Sequence, residues 1–342
     1  MNTDPPDNQL PLFPDLPADV KASAAKPSIL PDAGDAPRPE LDGTWERKHR
    51  SPITAAVVGM LLIGLIYIVG QVVLIVPAVI AQLIDAPNST AELETAEIFM
   101  LIRTPLLVAL TISQYLFMAL PAWLLARRWH VGKLGSVAGY VRLRAADWRV
   151  VVLTPLLTIA FIPPANYLSQ LFMEWLGMPA DSMKELEALF TASSFPELLL
   201  LSFVIAITPA ICEEIFFRGY VQRTFQRAIG ARSIWVTGVL FGLFHFQPVS
   251  LPTLALMGIL LGYLYHRTQS LLPSMIAHFT NNFMVLLLLY LAQANPELMG
   301  ASEEFSLPVV LISGVVCVLL LGVVHRLTGG MSNAECRVPN EE

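Results

Sequence analysis

The stretch Ile205-Ala206-Ile207-Thr208-Pro209-Ala210-Ile211-Cys212-Glu213-Glu214-Ile215-Phe216-Phe217-Arg218 decides how the chain is read. It continues an apolar run that opens at Pro196 and therefore reads as a membrane helix, since about 20 apolar residues suffice to cross the hydrocarbon. Yet it holds two carboxylates and a guanidinium. An ionisable side chain at the bilayer centre costs about 2.5–3.5 kcal/mol even on the gentler insertion scale, and it persists where it is paired and functional. Adjacent helical residues lie about 100° apart, so Glu213 and Glu214 cannot share a face. Arg218 is four residues beyond Glu214, on the same face at salt-bridge spacing. The pattern predicts a structural Glu214–Arg218 pair and leaves Glu213 turned elsewhere.

Outward from this stretch the chain keeps the same character. Of its 342 residues 55% are apolar and only 14% charged, where a soluble domain is nearer 25% charged. Apolar segments at roughly 53–84, 104–126, 150–172, 196–217, 233–250, 252–265, 272–293 and 307–324 predict an all-α, polytopic membrane protein of about eight transmembrane helices around an intramembrane polar cavity. The first segment is long enough to tilt, or to break at Pro77. Gly258 and Gly262, four apart in the sixth, allow close helix packing. Lys and Arg precede the first segment and follow the second, fourth, sixth and eighth, while acids fill the other charged loops. That alternation puts both termini in the cytosol. Residues 1–50, rich in Pro, Asp and Ala, read as a disordered cytosolic tail. Then come N-terminal helices over 51–172, a loop over 173–195 with an interfacial helix capped at Asp181-Ser182, catalytic helices over 196–326 and a C-terminal tail over 327–342. A net charge of −6 without a basic stripe excludes nucleic acid as a partner. Three cysteines, Cys212, Cys317 and Cys336, form neither a disulfide framework nor a Cys-based zinc site.

The remaining polar residues of the apolar segments gather in the second half. His245 is the single histidine of the fifth segment, and His278 with Asn282 lies at i, i+4 on one face of the seventh. A carboxylate and an imidazole that converge can hold and deprotonate water. A second histidine with an asparagine supplies donors for a developing oxyanion. Glu213, His245, His278 and Asn282 thus compose the parts of one-step peptide-bond hydrolysis, and no Ser, Cys or Asp pair at suitable spacing offers a covalent route. The same Glu213, His245 and His278 also have the make-up of a catalytic zinc site. The H-E-x-x-H arrangement is absent. No cofactor is required by this reading, and a divalent metal such as zinc stays open.

In order, Glu213-Glu214-x-x-x-Arg218, Phe241-x-x-x-His245 and His278-x-x-x-Asn282 resemble the three motifs of the CPBP intramembrane proteases, the CAAX-processing and bacteriocin-processing or abortive-infection-like family. The resemblance covers about residues 196–290. It implies an eight-helix fold with its site inside the membrane, open to the cytosolic face. It also implies that Glu213 and His245 activate water, that His278 and Asn282 form the oxyanion hole, and that Glu214 and Arg218, with Phe241, shape the site. The family is described both as metalloprotease and as glutamate protease. The expected partners are membrane lipids and a membrane-associated protein or peptide substrate. The chain reads as bacterial, which implies the inner membrane, and bacteria generally do not prenylate proteins. Two other readings use the same residues: a catalytically idle scaffold or immunity protein of the same family, and a proton-coupled transporter. Against the transporter, the halves show no inverted repeat of the polar motifs, and the first three segments offer mainly Gln71, Gln82 and Gln114 as polar residues.

Overall fold

A computed structural model describes residues 41–84, 95–177, 190–294 and 305–329. The interfacial helix expected near 181–190 falls almost wholly outside these, as do most of the two tails and the acidic loops. No strand occurs among the described residues. The chain is an all-α polytopic membrane protein.

Helix α1 (Pro52–Ile84) runs unbroken through Pro77. Helix α2 (Thr95–Ser113) passes through a π-helical turn (Gln114–Ala119) into α3 (Leu120–Trp129). Helix α4 (Trp148–Leu176) is capped at its start by Asp147 and stopped at its end by Gly177 in the left-handed region. The fourth element is α5 (Phe195–Leu201), a π turn (Ser202–Ile207), α6 (Thr208–Glu214), a second π turn (Ile215–Gln222) and α7 (Arg223–Ile229) in unbroken succession. Gly230, with φ 56°, turns the chain into a short 3-10 segment and α8 (Ser233–Phe244). Helices α9 (Leu251–Thr268), α10 (Leu271–Ala294) and α11 (Leu307–Leu327) follow, and two short pieces, a 3-10 turn at Glu46–Lys48 and a helix at Val137–Val141, lie outside the long helices.

Among the described residues, six stretches are long and apolar enough to cross a membrane: Pro52–Ile84, Met100–Trp129, Trp148–Leu176, Phe195–Phe244, Leu271–Gln293 and Leu307–Leu327. The expected count of about eight arises because Phe195–Phe244 contains two helices joined at Gly230, and because α9 forms its own helix. The fifth helix ends at Phe244 instead of continuing to 250. Phe246 adopts φ 53°, and the residue before Pro248 is disfavoured in a helix. His245 is therefore the first residue after the helix rather than a residue within it.

Helices α8 and α9 form a tight antiparallel hairpin. Glycines make this possible: a Cβ on Gly258 would lie 2.6 Å from the Gly238 carbonyl oxygen and 2.8 Å from its Cα. Helix α6 packs against α10 on one side and against the π turn 114–119 on the other. The shared core runs through Phe216, Phe217, Tyr220, Phe241, Leu261 and Tyr265.

One end of the bundle gathers the basic residues. Arg142 donates to Gln226 at 2.9 Å, Arg144 to the Gln269 carbonyl at 2.7 Å and Arg267 to the His325 carbonyl at 2.8 Å. Residues 41–50, which composition groups with the tail, are folded onto this end. Gly43, Thr44 and Trp45 donate backbone hydrogen bonds to 128–130, and the Trp45 ring stacks on Trp129 at 4.6 Å. Glu46 accepts from His130 Nδ1 at 2.7 Å and from Arg227 Nη2 at 2.8 Å. Burial opposes its charge, but Arg227 and His130 outweigh burial and hold the Glu46 carboxyl down at about 2.

Candidate active site

Helix α6 is one of the shortest pieces of the fold and carries Glu213 and Glu214 between two π turns, with the third π turn packed against it. Such wide turns are rare and recur at functional sites, because each shifts the register of the side chains that follow and frees backbone groups. Here the turn 202–207 is met by Asn282, whose Nδ2 donates to the Ile205 carbonyl at 2.9 Å. In hydrocarbon an unpaired carbonyl would have no water to turn to.

Glu214 and Arg218 are fully buried and form an ion pair, Nη1 to Oε1 at 2.9 Å. Arg218 Nη2 donates to the Gly258 carbonyl at 3.0 Å, and its guanidinium lies 4.5 Å from the centre of the Phe241 ring. Phe241 thereby covers the ion pair, and it also meets His278 edge-on at 5.7 Å and His245 at 4.7 Å. The same Glu214 oxygen takes His278 Nδ1 at 2.9 Å. A buried carboxylate with two cationic or donor partners is an arrangement that low dielectric tolerates.

Glu213 differs in what it faces. It is 9% exposed, and its Oε2 is buried without a hydrogen-bond partner. That oxygen lies 3.8 Å from His245 Nε2 and 3.9 Å from His278 Nε2. Both rings are oriented from behind: His245 Nδ1 sits 2.7 Å from the Phe241 carbonyl and His278 Nδ1 on Glu214. Because a carbonyl only accepts, His245 Nδ1 carries the hydrogen and its Nε2 is left as an acceptor in the neutral ring. Because a carboxylate oxygen accepts, His278 Nδ1 carries the hydrogen that it donates to Glu214. The His245 side chain is 26% exposed, against 5% for His278, so the cluster is approached past His245.

Glu213, His245 and His278 thus converge, with Glu214, Arg218 and Phe241 packed behind them. Asn282 makes its hydrogen bonds to the Ile205 carbonyl and to Asn281, and not to these three residues. Cys212 is buried in the core. A tetrahedral zinc with bonds of about 2.0–2.1 Å would hold its ligand atoms roughly 3.3–3.4 Å apart. The spacings from Glu213 to the two rings are wider, and among the described residues no three His, Cys, Asp or Glu side chains are close enough to hold a metal ion. One bridging water, with hydrogen bonds of about 2.7–3.0 Å, does fit between them.

Sequence reading passed over one neighbour. The ring of Tyr67, on α1, lies 6.2 Å from Phe244, next to His245. A tyrosine in an apolar helix has no signature that separates it from the aromatic core, which is why periodicity could not find it.

No curated protein and no solved structure matches the chain. A family description does: Rce1-like, type II CAAX prenyl endopeptidase, over residues 195–284. That interval contains Glu213, Glu214, Arg218, Phe241, His245, His278 and Asn282. Over residues 195–284, about a quarter of its length, this membrane protein is similar to the Rce1-like type II CAAX prenyl endopeptidases, a peptidase family.

Proposed function

We propose that the chain is an intramembrane endopeptidase in which Glu213 is the general base. The observation that carries this reading is the buried, unpartnered Glu213 Oε2 facing two imidazole Nε2 atoms at 3.8 and 3.9 Å, with both rings fixed from behind. A carboxylate oxygen placed beside an imidazole acceptor can hold a water and take its proton.

In the proposed reaction one water is held by Glu213 Oε2 and His245 Nε2. Glu213 takes one proton as the water oxygen attacks the scissile carbonyl carbon, and His245 accepts a hydrogen bond from the other. Charge develops on the carbonyl oxygen. In this reading His278 acts with a hydrogen on each ring nitrogen, Nδ1–H on Glu214 and Nε2–H on that oxyanion, and the second amide hydrogen of Asn282 adds a further donor. The C–N bond then breaks, and the protonated Glu213 returns its proton to the leaving amine. The products are a carboxylic acid and an amine, and Glu213 is again a carboxylate. No step is routed through a metal. The substrate is a membrane-associated protein or peptide, and both termini of the enzyme lie in the cytosol.

The test is hydrolysis by the full chain in lipid vesicles of two peptides, a farnesylated peptide ending in a CAAX sequence and an unprenylated apolar decapeptide, with products identified by mass spectrometry. Cleavage of either by wild type, reduced at least about 100-fold in Glu213→Gln, is the expected result. Wild-type cleavage that Glu213→Gln leaves unchanged overturns the assignment. Cleavage of neither peptide favours the scaffold of the same family.

A further inference from the structure

Beside the Glu213 cluster lies a second polar group, contributed entirely by helices N-terminal to the family domain. Gln71 Nε2 donates to the Tyr67 hydroxyl at 2.7 Å. That bond uses the hydroxyl as acceptor and leaves its proton free to donate. Gln114 opens the π turn 114–119 that packs on α6. It is 8% exposed, and its Oε1 is buried with no hydrogen-bond partner.

The unpartnered acceptors Glu213 Oε2 and Gln114 Oε1 thus lie on segments that pack against each other, and the Tyr67 hydroxyl, whose ring lies 6.2 Å from Phe244, keeps a proton to donate. Polar groups left unpaired in hydrocarbon cost several kcal/mol each. Glu213 is explained by the water it activates. Gln114 and Tyr67 are not, since neither is needed for proton transfer.

A substrate segment supplies what they lack. To be cut it must leave its helical conformation, which frees backbone N–H and C=O groups where no water can satisfy them. An amide oxygen matches a peptide N–H, and a phenol O–H matches a peptide carbonyl. We propose that Tyr67, held by Gln71, and Gln114 form a subsite that hydrogen-bonds the backbone of an extended peptide segment next to the scissile bond. This rests on the peptidase reading and names its substrate class: a locally unwound peptide, recognised through its backbone. The residues are substrate-positioning ones.

The test is binding, which does not need turnover. Full-length Glu213→Gln protein in detergent is titrated with a fluorescein-labelled Leu/Ala decapeptide and with a set of its analogues, each replacing one amide N–H by an ester oxygen. The expected result is that the ester at one position weakens Kd roughly 3–10-fold, the size of one net hydrogen bond. Adding Gln114→Leu should remove that penalty while leaving the other positions unchanged. Tyr67→Phe, which keeps the ring against Phe244, should weaken the parent peptide by a similar factor and keep the Gln114-dependent ester penalty. The inference is overturned if the peptide does not bind, if no single position carries a penalty, or if the penalty survives Gln114→Leu in a variant with wild-type melting temperature. Mass spectrometry of the same peptide with the wild-type protein separates the two claims. Position-specific binding without cleavage sinks the peptidase reading and leaves the subsite standing.

Discussion

Removing Arg218 tests whether the polar cluster behind Glu213 is the unit described above. Its guanidinium is fully buried and lies 2.9 Å from Glu214. At an effective dielectric of 20 that separation corresponds to about 6 kcal/mol of attraction, set against the cost of desolvating both charges. In Arg218→Leu the Glu214 carboxylate stays buried with only His278 beside it. The Gly258 carbonyl loses its donor, and Phe241 loses the cation over its face. Breaking one side of a buried pair typically costs about 3–5 kcal/mol. The double variant Glu214→Gln/Arg218→Leu removes both charges, so it should cost at least about 2 kcal/mol less than the single change. The assay is thermal or denaturant unfolding of the four proteins of this cycle in one detergent. If Arg218→Leu melts with wild type, or if the double variant costs the sum of the two single ones, the ion pair does not hold the site together and the reasoning fails.

Three further outcomes follow from the geometry. Gly258→Ala places a Cβ about where the Gly238 backbone already is, at 2.6 Å from its carbonyl oxygen. The α8–α9 hairpin must open, costing about 1–3 kcal/mol in a denaturation curve and shifting His245 out of line with Glu213. Asn282→Ala leaves the Ile205 carbonyl of the π turn unpaired, and should destabilise by about 1–3 kcal/mol, where Asn282→Gln should not restore it because the longer arm overshoots. Acidification should release residues 41–50. The Glu46 carboxyl is held down at about 2, so its contribution is complete above its ordinary value near 4.5 and is lost as pH falls towards 2. Burial lowers His130, so its contribution too is present above about 6.5 and declines below that. Fluorescence from the Trp45–Trp129 stack, recorded against Trp45→Phe, should change progressively between these pH values. Glu46→Gln should produce much of that change at neutral pH.

Much of the architecture is legible in the sequence, because hydrocarbon imposes one requirement on every spanning segment. Long apolar runs must be helices, as their backbone groups have no other partners. The same cost makes charged residues in those runs conspicuous, and so Glu213, Glu214 and Arg218 stand out without any structure. The i, i+4 spacing of Glu214 and Arg218 is a local relation that a single helix fixes, and their 2.9 Å contact lies within one stretch of backbone.

What sequence could not give depends on groups far apart along the chain or on departures from regular geometry. Three π turns reset the direction of side chains around α6, and no hydrophobic pattern announces them. His245 stands at a helix end because Phe246 and Pro248 stop α8 early, so its ring is set by the Phe241 carbonyl as well as by helical phase. Asn282 is spacing-matched to His278, yet it bonds a carbonyl 77 positions earlier. Tyr67 of α1 packs beside Phe244 and Gln114 opens the turn that packs on α6, and residues 41–50 fold because Glu46 finds Arg227, 181 positions away. The amino-acid sequence by itself determined that this is a helical membrane protein with ionisable groups inside it, since solvation cost is a property of each residue. Tertiary packing alone decided which of those groups meet, because a contact between helices is set by their relative rotation and depth, which the pattern within either helix does not contain.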